Sequence, residues 1–291
     1  MRNIKEYVKF VLSMVIFGTN GLLVAKISLS SSEIVLLRTF LGSLFLLAVI
    51  LIKGGFSFAD LKEDALPATL GGVALGANWV LLFAAYREAS VSLATLTYYC
   101  GPIIVLALSP VLFREKLTAL KLTAIAAVAV GMICITGDIS AGSTTSLGII
   151  LAAAAALFYA ALIIFNKKVK ALSGLNCAVY ELVIAFVVVA LYLLFSGTKL
   201  PVIPAKSDLP YVLIIGLINT GLAYYLYFSS LRKLPGQTVA LVCYIDPLTA
   251  LVASALVLRE KLTGLQLLGA VLILGGALLG ELKPGHRNGE Q

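Results

Sequence analysis

Tyr244-Ile245-Asp246-Pro247, with Arg259-Glu260-Lys261-Leu262-Thr263 starting twelve positions after the proline, decides the fold because it occurs twice. About 145 positions earlier stand Tyr99, Pro102 and Arg114-Glu115-Lys116-Leu117-Thr118, with the same spacing and an identical pentapeptide. Leu106/Leu251, Ser109/Ser254 and Gly131/Gly276 match at that offset, as do Phe83/Phe228 and Arg87/Arg232. A period this long is a duplicated half-protein rather than a short solenoid unit. The expected division is residues 1–140, residues 141–283 and a polar tail, 284–291.

The 291 residues are 60% hydrophobic and 12% charged, with a mean hydropathy of +1.05. Soluble domains have about 45–50% apolar and about 25% charged residues. The chain therefore reads as an integral membrane protein, all-α, because lipid cannot satisfy exposed backbone groups. The net charge of +8 lies in short loops and tails without an aromatic-studded basic face, which points to lipid and topology and away from nucleic acid. Cys100, Cys134, Cys177 and Cys243 lie in apolar runs without metal or redox spacing and are expected to be reduced packing residues.

Each helix crossing needs about 20 mostly apolar residues. Charged, Gly and Pro punctuation gives ten transmembrane helices: 7–27, 33–52, 65–86, 91–113 and 119–138, then 146–167, 175–195, 209–231, 237–258 and 264–281. With the N-terminus inside, fifteen Lys and Arg fall on the cytoplasmic side and seven opposite. Both termini are thus expected in the cytoplasm. Five crossings per half make the halves two inverted five-helix repeats. Inverted repeats are a hallmark of secondary transporters, whose substrate site lies near the midplane where helices are interrupted. Pro102 and Pro247 sit at such mid-span positions, and each removes a backbone hydrogen bond.

Ten spans in two halves, each with a mid-helix proline and an RE(K)LT end, resemble the EamA family of the drug/metabolite transporter superfamily. Leu37-Arg38-Thr39-Phe40 in the second span adds to the likeness. So does Phe17-Gly18, where the family often has Trp-Gly, with Phe158-Tyr159 in the matching place. The resemblance implies a multi-pass carrier of the inner or plasma membrane, frequently an exporter of amino acids or related metabolites. Small multidrug resistance relatives use a first-helix glutamate for proton coupling. Here only Glu6 stands at the edge of that span, so that mechanism does not carry over.

An acidic residue near the bilayer centre costs about 2.5–3.5 kcal/mol and needs a reason. Asp246 and Glu181 are the two that qualify. Asp246 is expected to cap a half-helix starting at Pro247, to meet substrate, or both. Glu181 either pairs with a nearby Arg or Lys or serves as a substrate-ammonium or proton site. Arg38 has Glu33, a carbonyl or a substrate carboxylate as candidate partners. Asn78, Trp79, Thr95, Tyr98, Tyr99, Asn219, Tyr224 and Tyr244 complete the candidate substrate-binding set. Thr95, Tyr98, Tyr99 and Pro102 share one face at i, i+3, i+4, i+7, and Trp79, Tyr99 and Tyr244 offer ring faces for an aromatic ligand or a cation. Tyr86 and Tyr227 read as interfacial belt residues, Asn20 and Asn166 as interhelical glue or pocket groups, and Lys26 and Lys167 as snorkelling ends.

No HExxH, GxSxG or GxxxxGK[ST] pattern occurs, and the one histidine, His286, lies in the tail. Neither an enzyme nor an ATPase is expected, and no cofactor or metal. The expected partners are a small-molecule substrate and the bilayer, with protons as a candidate coupling ion; monomer and homodimer both stay open. The leading expectation is export of a small zwitterionic metabolite by alternating access, and the alternative is import of an organic cation such as a quaternary amine.

Overall fold

A computed structural model describes residues 2–53, 55–113, 119–137, 146–198, 202–231, 233–234, 242–243 and 245–281. Among them the chain is helical and contains no strand. The helices are α1 (Arg2–Gly18), α2 (Asn20–Val24), α3 (Ser31–Lys53), α4 (Phe58–Glu88), α5 (Val91–Tyr98), α6 (Gly101–Phe113), α7 (Ala119–Gly137), α8 (Ser146–Asn166), α9 (Gly174–Phe195), α10 (Leu209–Leu213), α11 (Ala223–Leu231), α12 (Ile245–Ala253) and α13 (Gly264–Glu281). Two π-helical stretches, Ile214–Leu222 and Ser254–Leu258, join α10 to α11 and extend α12. Among the described residues seven helical runs are long and apolar enough to cross a membrane, and three apolar helices, Leu122–Cys134, Ile245–Leu258 and Gly264–Gly276, are shorter. The chain is a multi-pass membrane protein.

Helix starts follow the local chemistry. Ser30 and Glu33 form a reciprocal capping box, Glu33 Oε2 accepting from Ser30 N at 2.7 Å. Glu33 is thereby committed to the start of α3 and is not the partner of Arg38. Ser57, Ser90 and Ser173 cap α4, α5 and α9. With Ser57 and Asp60 supplying its first turn, α4 begins earlier than the expected 65 and runs 31 residues.

The second pentapeptide performs three separate tasks. Arg259 ends the ninth passage with a left-handed backbone, φ 57°. Glu260 reaches across to α5, where its carboxylate accepts from Val91 N at 2.8 Å, Ser92 N at 3.1 Å and Ser92 Oγ at 2.7 Å. Thr263 makes a capping box with Gln266 at the start of α13. The first copy, 114–118, lies outside the described residues.

Among the described residues four passages are interrupted or rewound. The first breaks at Thr19, between α1 and α2. The fourth breaks at Tyr99–Cys100, immediately before Pro102, so the proline enters the first turn of α6, where a missing N–H costs least. The eighth rewinds into a π-helix over Ile214–Leu222 and the ninth ends in one over Ser254–Leu258, a geometry found frequently at functional sites.

Small residues set the packing that holds the candidate site. A Cβ on Gly71 would meet Glu181 Oε1, one on Gly72 would meet Ile184, and one on Gly76 would meet Ala185, so α4 and α9 lie in close contact and run parallel. Gly216 faces Leu41 and Gly221 faces Phe45, so α3 and the eighth passage also run parallel. Arg38, early in α3, meets Trp79 and Phe83, late in α4, so α3 runs antiparallel to α4, and hence to α9.

Candidate functional site

These helices enclose a cavity of about 510 Å³ lined by residues of α1–α5, α8, α9, α11 and α12, within the range of small-molecule sites. Arg38, Trp79, Thr95, Tyr98, Tyr99, Glu181, Tyr224 and Asp246 all line it. Asn78 and Asn219 stand behind its wall, and Tyr244 lies outside the described residues.

Arg38 is 1% exposed. Its guanidinium carbon sits 3.9 Å from the Trp79 ring centroid and 5.0 Å from that of Phe83, so ring faces partly replace lost hydration. Its Nε donates to Thr220 Oγ1 at 3.0 Å. Thr220 is held there by the π-helix, its hydroxyl donating five residues back to the Ile215 carbonyl. Nη1 of Arg38 has no hydrogen-bond partner.

Glu181 is 4% exposed. Asn166 Nδ2 donates to its Oε2 at 3.4 Å, and its Oε1, packed over Gly71, has no partner. The neighbouring Tyr180 pairs instead with Thr69, at 2.8 Å. Asp246 stands inside the first turn of α12 and does not cap a helix starting at Pro247. Its Oδ2 accepts from the Tyr99 hydroxyl at 2.5 Å, joining the two proline-marked passages. Among the described residues no ion pair joins Arg38, Asp246 or Glu181 to one another.

The walls are aromatic. Tyr98 stacks on Tyr159 at 4.8 Å and meets Tyr99 edge-on at 5.6 Å, while Tyr224 touches both Phe17 and Trp79. Asn78, fully buried, donates to the Tyr98 hydroxyl at 3.3 Å and so fixes that ring. Asn219 serves the break in the first passage, donating to Ile16 O at 2.7 Å and Thr19 Oγ1 at 2.9 Å.

Tyr86 and Tyr227, read from sequence as interfacial belt residues, line the cavity. Tyr86 accepts from Thr95 Oγ1 at 3.3 Å, and Tyr227 stacks on Phe10. Tyr159 and Phe228 are further lining residues that the sequence did not single out as pocket groups, although Phe158-Tyr159 and the Phe83/Phe228 repeat pair had marked their positions.

The cavity extends to the α8–α9 connection, where Lys167, Val169, Leu172 and Gly174 line it. The opposite end is tied across passages. Ser28 donates through N and Oγ to Asp208 at 2.9 and 2.5 Å, which holds that carboxyl below its ordinary pKa. Arg87 donates to the carbonyls of Ile27 and Leu29, and Glu260 holds α5. A cavity with both signs of charge, aromatic walls and one tied end suits binding of a small polar solute.

Comparison with known proteins agrees. The EamA-like transporter family matches residues 4–137 and again 146–280. "Uncharacterized transporter YxxF" of Bacillus subtilis (strain 168) is 31% identical over 94% of this chain and 88% of its own length. The "Probable amino-acid metabolite efflux pump" of Escherichia coli (strain K12) is 31% identical over 63% of this chain and 65% of its own length. "Threonine/homoserine exporter RhtA" of Salmonella typhimurium (strain SL1344) is 27% identical over 83% of this chain and 79% of its own length. A solved crystal structure aligns over 97% of this chain and 99% of its own at a TM-score of 0.67 and 18% identity, a likeness of fold. The chain belongs to the EamA-like transporter family, and is a transporter rather than an enzyme.

Proposed function

We propose that the protein exports small zwitterionic metabolites of the amino-acid class across the inner or plasma membrane, by alternating access through the aromatic cavity. The observation that carries this reading is Arg38: a buried guanidinium with one free nitrogen, in the same cavity as two carboxylates that leave it unpaired. A solute bearing a carboxylate and an ammonium satisfies both signs at once, while an apolar solute leaves buried charge uncompensated. Relatives named for amino-acid and threonine/homoserine efflux support export.

Ten crossings arranged as two inverted halves, 1–140 and 141–283, supply the motion. One half rocks against the other around Tyr99 and Asp246, and both termini face the cytoplasm. Asp246 and Glu181 are the groups that would carry a coupled proton.

Counterflow into proteoliposomes loaded with a mixture of amino acids tests the reading. Exchange of a labelled amino acid, lost in Arg38→Gln, is the expected result. The second reading, carriage of a quaternary amine, draws on the tyrosines around Asp246. It predicts choline exchange that survives Arg38→Gln and fails in Asp246→Asn.

A further inference from the structure

Arg38 and Glu181 occupy the same place in corresponding helices. Arg38 is the eighth residue of α3, which starts at Ser31, and Glu181 is the eighth of α9, which starts at Gly174. Because α3 and α9 run antiparallel, the cavity receives a cation from near one end and an anion from near the other. Each side chain keeps one buried polar atom without a partner, Arg38 Nη1 and Glu181 Oε1.

Helix α4 measures the gap. Arg38 lies over Trp79, and Glu181 Oε1 lies over Gly71. Eight residues of α4 separate those levels, about 12 Å of helical rise. In an α-amino acid the carboxylate and the ammonium sit on one carbon, so that pair alone cannot span the distance. Asp246 fits the α-ammonium better. Its partner Tyr99 adjoins Tyr98, which Asn78 holds beside Trp79 at the Arg38 level. Glu181 is then left facing the far end of whatever the cavity holds.

We infer that the preferred solutes carry a second cationic group at the end of an extended side chain, and that Glu181 is the residue selecting it. The inference rests on the amino-acid reading above and adds to it the side-chain class. Six single bonds separate the carboxyl carbon of a lysine-like solute from its terminal nitrogen, roughly 7–8 Å when extended. Charge-assisted contacts of about 2.8 Å at each end bring the span close to the α4 ruler. The intervening methylenes would lie along Leu75 of α4, between those two levels, and Leu162 of α8, one turn before the Asn166 that contacts Glu181; both line the cavity.

The test is competition binding to the purified full-length protein with lysine, norleucine, cadaverine and choline. Norleucine keeps the α-carboxylate, the α-ammonium and nearly the length of lysine but lacks the terminal charge. Lysine should bind at least about tenfold more tightly than norleucine, a single paired and desolvated charge being enough for that margin. Glu181→Gln should erase the margin by weakening lysine binding far more than norleucine binding. Gly71→Ala provides a second variant with both charges intact: its new Cβ displaces the Glu181 carboxylate and should shrink the margin. Equal binding of lysine and norleucine, or a margin that survives Glu181→Gln, overturns the inference while leaving the amino-acid reading standing. Binding of choline with no binding of either amino acid overturns both.

Discussion

The carboxylates at the helix ends and the carboxylates in the cavity are the same residue types in opposite circumstances. Asp64, 5% exposed, accepts from three successive backbone N–H groups of the α8–α9 connection, at 3.0 Å from Lys170, 2.6 Å from Ala171 and 2.9 Å from Leu172. Glu260 accepts from two N–H groups and a hydroxyl at the start of α5. Asp246 has one donor, Tyr99, and Glu181 has only weak contacts from the Asn166 amide and the Cys177 thiol, with Oε1 left without a hydrogen-bond partner. A satisfied buried charge holds chain segments together; an unsatisfied one weakens the fold and persists where a ligand completes it. The difference separates architecture from function without any knowledge of the solute.

The largest effect expected from that contrast is at Asp64. Asp64→Ala strips the acceptor from three N–H groups and should lower unfolding stability in detergent by about 3 kcal/mol. Glu260→Ala removes a cap from α5 and should cost about 1–2 kcal/mol, seen as a lower midpoint in the same thermal scan. Glu181→Gln and Asp246→Asn should move stability by less than about 1 kcal/mol, because each removes an uncompensated charge and keeps the shape. Transport should collapse in these last two and survive in the Glu260 variant. A Glu181→Gln protein destabilised as much as the Asp64 variant would erase the distinction.

Fold and site were legible to different depths. The duplicated proline and pentapeptide, with the hydropathy, gave the helical membrane class and put Pro102 at a real interruption. Charge and aromatic placement brought Arg38, Trp79, Tyr98, Tyr99, Glu181 and Asp246 to one cavity. What sequence could not supply was depth and rotation. Tyr86 looked interfacial because it stands two residues from the end of its helix, but α4 has 31 residues, and its final turns still border the cavity. Asn219 and Tyr224 were taken together although five residues place them roughly 140° apart on an α-helix. Asn219 turns to the break at Thr19, Tyr224 turns to the cavity, and the π-helical winding between them carries no signature in composition. Glu260 read as one letter of a helix-end motif, because its partners Val91 and Ser92 are 169 and 168 positions away.

The smallest expected effect concerns Asp208, which belongs with the satisfied carboxylates and stands one residue before the apolar run Leu209–Ser230. The Ser28 hydroxyl first, and the Ser28 N–H second, hold its carboxyl below the ordinary value. A group with a depressed folded pKa contributes stability that is fully present above its unfolded value, about 3.9, and is lost as pH falls through the folded value. Acidification below about pH 4 should therefore lower the thermal midpoint of the wild-type protein, and Asp208→Asn should flatten that part of the profile. Because Asp208 ties the α2–α3 connection to α10 at the end the cavity does not reach, the same variant should leave solute affinity unchanged. A profile as steep in Asp208→Asn as in wild type would mean that this end is held by Arg87 on the carbonyls of Ile27 and Leu29 and by Glu260 on α5, with no measurable contribution from the Ser28 contact.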